Sequence, residues 1–208
     1  DMADAGVSHA AMEASSHGLD QRRLDGVDLV AAAFTNLTQD HLDYHETMEA
    51  YFDAKAGLFS RVLPDDGTAV INLDDDWARD LQYITIARGQ EVLGLGGMDA
   101  ADLQLLGQRF DATGQDVRFS WIGQPHMAHL NLIGGFQAEN VLLAAGLVIA
   151  SGAAPDEVFD EIPNLTTVRG RMQLAATRAN GAAIFVDYAH TPDAVATAIQ
   201  ALRPHVMG

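Results

Sequence analysis

The sequence predicts an α/β protein with an open, mostly parallel sheet that is flanked by helices and extended by antiparallel strands. Short, nearly all-apolar runs alternate with segments of helical periodicity, which is typical of parallel strands buried on both faces. A central stretch alternates apolar and polar residues and favours added antiparallel strands. In open sheets of this class, ligands bind at the carboxyl ends of the strands.

In the first part of the chain, residues 7–13 and 28–34 are short apolar runs that predict buried parallel strands. Residues 46–62 have helical spacing. Residues 64–76 predict a turn, a strand and an acidic exit, and a helix is expected over residues 77–87.

In the second part, residues 91–132 carry the alternating pattern of the antiparallel strands. Residues 134–152 predict a long helix because glycines stand at its start and its end. Residues 155–162 predict a shorter helix, and residues 172–191 predict two strands around an Asn-Gly turn. The last predicted helix occupies residues 192–203, between two prolines.

Composition excludes several classes of protein. A net charge of −17 leaves no basic surface for nucleic acid. No apolar run approaches the roughly 18 residues that span a bilayer, and the N-terminus lacks a signal-peptide pattern. The absence of cysteine excludes disulfides and thiolate metal sites. We therefore expect a cytoplasmic protein with neither nucleic-acid nor membrane partners, in which an anion-binding site needs a metal ion or a few arginines.

The chain has 12 lysine and arginine residues in total, and Lys55 is the single lysine among them. It lies on the apolar stripe of the predicted helix at 46–62, so its amine is expected to be partly buried and readily neutral. The side chain could instead extend its ammonium group to solvent. A neutral amine that captures carbon dioxide becomes a carbamate, whose oxygens suit magnesium. With Glu13 and His41 it would form a cysteine-free metal site.

Seven stretches of the chain resemble, in order, the Mur ligase family of ATP-dependent, amide-forming enzymes of peptidoglycan synthesis. "SSHG", "NLTQDHLDYH" and "DYAHTP" together resemble the E-type branch, which adds the third residue of the stem peptide. Cyanophycin synthetase and folylpolyglutamate synthetase share parts of "DYAHTP" and stay open as relatives. The matching stretches are "MEASSHGLDQRR" (12–23), "FTNLTQDHLDYH" (34–45), "AK" (54–55), "GTAVINLDDD" (67–76), "GGFQAEN" (134–140), "GRM" (170–172) and "DYAHTPDA" (187–194).

The resemblance implies roles for individual residues. The implied magnesium ligands are Glu13, His41 and a carbamylated Lys55. The implied contacts to the muramyl-dipeptide substrate are Ser15, Gln21 and Arg23, and those to the nucleotide are Asn140, Arg171 and Asp187. Asp40 and His45 could orient metal ligands or could be structural. Gln137 replaces a family asparagine but keeps an amide, so little effect is expected.

The resemblance also implies a reaction. ATP phosphorylates the D-glutamate carboxylate of UDP-MurNAc-L-Ala-D-Glu, and diaminopimelate or lysine then attacks the acyl phosphate. The implied cofactor is Mg²⁺ and the implied state is a monomer. The family's phosphate-loop motif, Gly-Lys-Thr or Gly-Lys-Ser, does not occur in these residues.

We therefore expect a central domain over residues 1–180 without its phosphate-loop strand, and the start of the C-terminal domain over residues 181–208. Such a chain is expected to be inactive alone. It would be either part of a longer, active enzyme or a pseudoenzyme that still binds muramyl nucleotide. A further alternative is a metal-dependent hydrolase that uses Asp40, His41, Asp43 and His45 with a water nucleophile. That alternative does not account for "SSHG" or "DYAHTP".

Overall fold

A computed structural model describes residue 2, residues 4–38 and residues 42–205 of the chain. Its main sheet has six strands in the order β1-β2-β3-β4-β5-β6. Strands β1 to β4 are parallel, and β4, β5 and β6 pair antiparallel. The predicted fold class is therefore confirmed. The strands are β1 (Ala31–Phe34), β2 (Thr68–Asn72), β3 (Glu91–Gly96), β4 (Leu103–Phe110), β5 (Gln115–Trp121) and β6 (Gln124–Leu130).

A separate antiparallel hairpin follows the main sheet. It consists of β7 (Gln173–Thr177) and β8 (Ala183–Val186). The Asn-Gly turn predicted there is confirmed, and Gly181 has a positive φ of 86° that suits such a turn. The division expected at residue 180 falls within this turn and stays a prediction.

The predicted helices are confirmed, with ends shifted by a few residues. In the described part of the chain, none is long and apolar enough to cross a membrane. The α3 helix continues as a π-helical segment, Leu58–Val62. The α-helices are α1 (Ser16–Asp20), α2 (Leu42–His45), α3 (Met48–Gly57), α4 (Ala78–Ala87), α5 (Phe136–Ala150), α6 (Pro155–Glu161) and α7 (Pro192–Leu202).

The strand predicted over residues 7–13 is wrong. These residues have no regular structure and are exposed, with Val7 47% and Met12 57% accessible. An apolar run becomes a strand only where a neighbouring strand can pair with its backbone N–H and C=O groups. Among the described residues, β1 pairs with β2 and no segment pairs with residues 7–13. Glu13 therefore lies on an exposed, irregular segment instead of at a strand end.

The main sheet is covered by helices on both faces, and β2 shows how. All five residues of β2 are buried, and successive side chains point to opposite faces. Val70 belongs to a core with α5 and α6, whereas Ala69 and Ile71 belong to a second core with α1, α3 and α4. This layering explains why β2 reads as a continuous apolar run instead of an alternating one.

Candidate functional site

The three residues predicted to contact the muramyl dipeptide lie at the two ends of the short helix α1. Ser15 caps the helix, because its Oγ accepts a hydrogen bond from the N–H of Gly18 at 3.1 Å. Gln21 and Arg23 follow the helix and are joined directly, with the Arg23 Nη2 2.5 Å from the Gln21 Oε1. Gln21 in turn donates from Nε2 to the hydroxyl of Tyr44 at 3.4 Å. The structure thus brings Gln21 and Arg23 together and links Gln21 to α2, whereas Ser15 lies at the other end of α1.

A series of ring contacts, of which only the one between His45 and Tyr51 is stacked, runs from α1 to the lysine on α3. The rings of His17 and Tyr44 lie 4.0 Å apart, those of Tyr44 and His45 4.8 Å, and those of His45 and Tyr51 5.2 Å. The path ends at Lys55, whose Nζ lies 5.4 Å from the centre of the Tyr51 ring. Sequence reasoning gave neither Tyr51, on the helix predicted at residues 46–62, nor His17 a role in the site. Their contacts join residues from three separate helices.

Lys55 is partly buried, whereas Tyr51 and Phe52 on the same helix are buried. The Phe52 ring stacks on Trp77 at 4.7 Å, which fixes α3 against the segment that leaves β2. A cation over an aromatic ring is stabilised by about 0.5–1 kcal/mol at an exposed site and by more when desolvated. The Tyr51 ring therefore lies where it can contact an ammonium group on Lys55.

The predicted magnesium ligands are not all described. His41 and Asp40 lie outside the described residues, and the side chain of Asp43 is not described either. Among the residues that are described, no three His, Asp or Glu side chains form a group that could hold a metal ion. Glu13 is exposed. The magnesium site and the hydrolase alternative, which both use His41, thus stay predictions.

The carboxyl edge of the parallel strands is rich in carboxylates. Asp74, after β2, accepts a hydrogen bond from the N–H of Gly97 at 2.8 Å, and Asp75 accepts one from the N–H of Leu37 at 2.9 Å. These bonds join the exits of β1, β2 and β3. Glu139 on α5 faces the same edge; burial, and then the charge of Asp74, raise the pKa of its carboxyl. This edge would repel a phosphate group unless a cation lies between them.

The three predicted nucleotide residues lie on two parts of the fold. Asn140 is exposed near the start of α5, and its Nδ2 lies 3.5 Å from the Oε1 of Gln137. The Arg171 guanidinium lies 5.9 Å from the centre of the Tyr188 ring. Asp187 accepts a hydrogen bond at 2.8 Å from the N–H of the residue after Arg171. Arg171 and Asp187 are therefore neighbours at one end of the β7–β8 hairpin.

Comparison with known protein families identifies two successive domains. Residues 1–148 match the Mur ligase middle domain, and residues 170–207 match the glutamate ligase domain of Mur ligases. A relative from Caulobacter vibrioides, named UDP-N-acetylmuramoyl-L-alanyl-D-glutamate–2,6-diaminopimelate ligase, is 46% identical over 100% of this chain. The match covers 42% of that relative, so the chain spans about two fifths of its length.

Solved structures give the same result. A structure of a UDP-N-acetylmuramoyl-L-alanyl-D-glutamate–2,6-diaminopimelate ligase has a TM-score of 0.84 and 34% identity, covering 99% of this chain and 42% of that one. MurF ligase from Thermotoga maritima in complex with ADP has a TM-score of 0.71 and 22% identity, covering 85% of this chain and 39% of that one. At this identity it shows a similar fold alone. The predicted resemblance is confirmed, and the chain belongs to the Mur ligase family.

Proposed function

We propose that the protein containing this chain is an ATP-dependent amide ligase that adds diaminopimelate, or alternatively lysine, to UDP-MurNAc-L-Ala-D-Glu. The observation that carries this proposal is the similarity over the whole chain to a relative named as a diaminopimelate ligase, at 46% identity. The protein would act as a monomer in the cytoplasm and would add the third residue of the stem peptide.

The reaction joins two anions. The γ-phosphoryl group of ATP moves to the D-glutamate carboxylate, the amino group of the incoming amino acid attacks the acyl phosphate, and phosphate leaves. Catalysis of the first step depends mainly on alignment and charge neutralisation. In this chain, Ser15, Gln21 and Arg23 would hold the muramyl dipeptide. The bond from Arg23 to Gln21 orients both side chains, and the remaining N–H groups of the guanidinium can bind an anionic group of the substrate.

Mg²⁺ would be held by Glu13, His41 and a carbamylated Lys55, and when bound it would supply positive charge where the two anions meet. Two features support this proposal. Lys55 is partly buried beside the Tyr51 ring, at the end of the ring contacts that lead from α1 and its proposed substrate residues. Asp74 follows β2 and Glu139 on α5 faces the same edge of the sheet, so an anionic substrate there needs a cation. Arginine could not take the place of Lys55, because its guanidinium is not deprotonated in proteins and does not form a carbamate.

ATP would contact Asn140 on α5 and Arg171 and Asp187 at the hairpin. Asp187 accepts a hydrogen bond from the backbone N–H of the residue after Arg171, and both residues lie in the part of the chain that follows the six-stranded sheet. We propose a division near residue 180 between a central domain, residues 1–180, and the start of the C-terminal domain, residues 181–208. ATP would then bind between elements from both domains.

The test is phosphate release from ATP by the full-length protein. The reaction mixture contains magnesium and UDP-MurNAc-L-Ala-D-Glu, with diaminopimelate, lysine or glycine offered in turn, and each component is left out once as a control. We expect release that requires the dipeptide and one amino acid, diaminopimelate giving the highest rate. Release without the dipeptide, or none with any amino acid, would contradict the assignment and favour the polyglutamate or cyanophycin relatives.

A further inference from the structure

His205 is a buried histidine, 7% exposed, in the 3₁₀ turn Arg203–His205 that follows α7. Its Nε2 lies 3.0 Å from the backbone nitrogen of Gly134. Its Nδ1 lies 2.7 Å from the carbonyl oxygen of Asp111. Since a backbone N–H can only donate, Nε2 must accept from Gly134, and the proton on Nδ1 is donated to Asp111. The Phe110 ring packs edge-on against the imidazole at 5.1 Å.

Gly134 and Gly135 form the turn that begins α5, and side chains from two strands also bind this turn. Gln115 donates from Nε2 to the Gly134 carbonyl at 2.8 Å. Gln108 donates from its Nε2 to the Gly135 carbonyl at 2.6 Å and to the Oε1 of Gln115 at 2.8 Å. Gly134 has a positive φ of 104°, a conformation that favours glycine. With the bond from Gly134 to His205, the start of α5 is held by β4, by β5 and by the turn that follows α7.

The attachment of α7 to this turn is concentrated near its end. A Cβ atom built on Gly134 would lie 3.2 Å from the Cβ of Ala201, so the last turn of α7 packs directly on the glycine. Earlier in α7, Val195 and Ile199 are 41% and 55% exposed. His205 therefore binds the segment after α7 to the turn before α5. Asn140 lies about one helical turn into α5 from this point.

We propose that His205 is a positioning residue that couples the placement of the C-terminal domain to the start of the nucleotide helix α5, and through it to Asn140. The coupling passes through the hydrogen bond from the Gly134 N–H to Nε2, because this bond fixes the backbone of the turn that leads into α5. The part that concerns ATP rests on the proposed function of Asn140. The part that concerns α5 rests on the geometry of His205 alone.

The test compares three substitutions of His205 in the full-length protein. His205→Phe keeps a ring against Phe110 and removes both hydrogen bonds. His205→Gln carries an amide oxygen at the reach of Nε2 and can still accept from Gly134. His205→Asn is shorter and can reach Asp111 but not Gly134. The control is Arg203→Ala, because Arg203 is exposed in the same turn.

Hydrogen–deuterium exchange of a peptide covering residues 133–141 gives the first readout. We expect about two- to tenfold faster exchange in His205→Phe and His205→Asn, since one neutral hydrogen bond contributes about 0.5–1.5 kcal/mol. His205→Gln and Arg203→Ala should exchange like the wild type, and α4 should be unchanged in all variants. Equal exchange in all variants, or faster exchange in every helix, would overturn the proposal.

Kinetics give the second readout. His205→Phe and His205→Asn should raise the KM for ATP by a similar factor of about two to ten and leave the KM for the muramyl dipeptide unchanged. A changed exchange rate with an unchanged KM for ATP would overturn the coupling to the nucleotide. If the wild type itself released no phosphate, the proposed function would fail, whereas the exchange measurement would still decide the role of His205.

Discussion

Gly146 lets α5 pack unusually close to the sheet, and replacing it tests the layered fold. A Cβ atom at this position would lie 2.8 Å from the Cγ1 of Val70 and 3.3 Å from the Cδ2 of Leu93. Val70 is 0% exposed on β2, between two neighbouring strands, so it has little room to move. Gly146→Ala should therefore strain the contact between α5 and β2.

Two opposing effects set the size of the change. Alanine is favoured over glycine within a helix by about 1 kcal/mol. Overpacking a core by one methyl group costs about 1–3 kcal/mol. The free energy of unfolding should therefore fall by up to about 2 kcal/mol in Gly146→Ala. In a Val70→Ala background the clashing methyl is gone, so the same substitution should stabilise the protein, giving a coupling energy of about 1–3 kcal/mol.

The assay is urea unfolding of the wild type, both single variants and the double variant, followed by circular dichroism and by the fluorescence of Trp77 and Trp121. Gly57→Ala is the matched control, because Gly57 is helical with a φ of −55° and its Cβ would meet just the end of a flexible arginine at 3.4 Å. This control should stabilise by up to about 1 kcal/mol. If Gly146→Ala stabilised as much as the control, or added to Val70→Ala without coupling, the packing argument would be refuted.

Three more predictions concern a half-buried acid, the core and the substrate segment. Burial raises the pKa of Glu139 above its ordinary 4.5, so its ionisation opposes folding as the pH rises. Glu139→Gln should therefore stabilise the protein at mildly alkaline pH and leave its stability unchanged below pH 4.5. Equal unfolding midpoints for the wild type and the variant at both pH values would contradict this. Phe59 is 1% exposed, so Phe59→Ala should lower the free energy of unfolding in urea by about 3–5 kcal/mol. Tyr83 is 64% exposed, so Tyr83→Ala should change it by under about 0.5 kcal/mol. Arg23→Met should raise the KM for the muramyl dipeptide about tenfold through loss of one charge-assisted hydrogen bond, with an unchanged KM for ATP; an equal rise in both would assign Arg23 a structural role.

Sequence reasoning predicted most elements because local signals mark them. The α5 helix has glycines at both ends, and the β7–β8 hairpin has an Asn-Gly turn. The strand at residues 7–13 was wrong, since composition does not show whether a pairing strand lies alongside. The π-helical segment Leu58–Val62 was also missed. Its geometry depends on distant side chains, because Arg88 and Gln90 both donate to the carbonyls of Phe59 and Leu63.

The candidate site was predictable where it follows periodicity and not where it depends on tertiary contacts. Helical spacing correctly indicated that Lys55 shares the buried face of α3. The ring path to Lys55 joins residues of α1, α2 and α3, whose positions relative to one another no local pattern determines. The bond between Gly134 and His205 spans 71 residues of sequence. Contacts of this kind arise when packed elements bring distant residues together.

The measurement that tests the account most directly compares Lys55→Ala with Lys55→Arg in the full-length protein. Phosphate release that depends on the muramyl dipeptide and the amino acid should collapse in both variants, because neither side chain can form a carbamate. Short carboxylates, such as acetate, should partly restore Lys55→Ala, where they can enter the vacated space, and should not restore Lys55→Arg. Near-normal activity in Lys55→Arg would contradict the account, since it would show that Lys55 serves merely as a positively charged side chain.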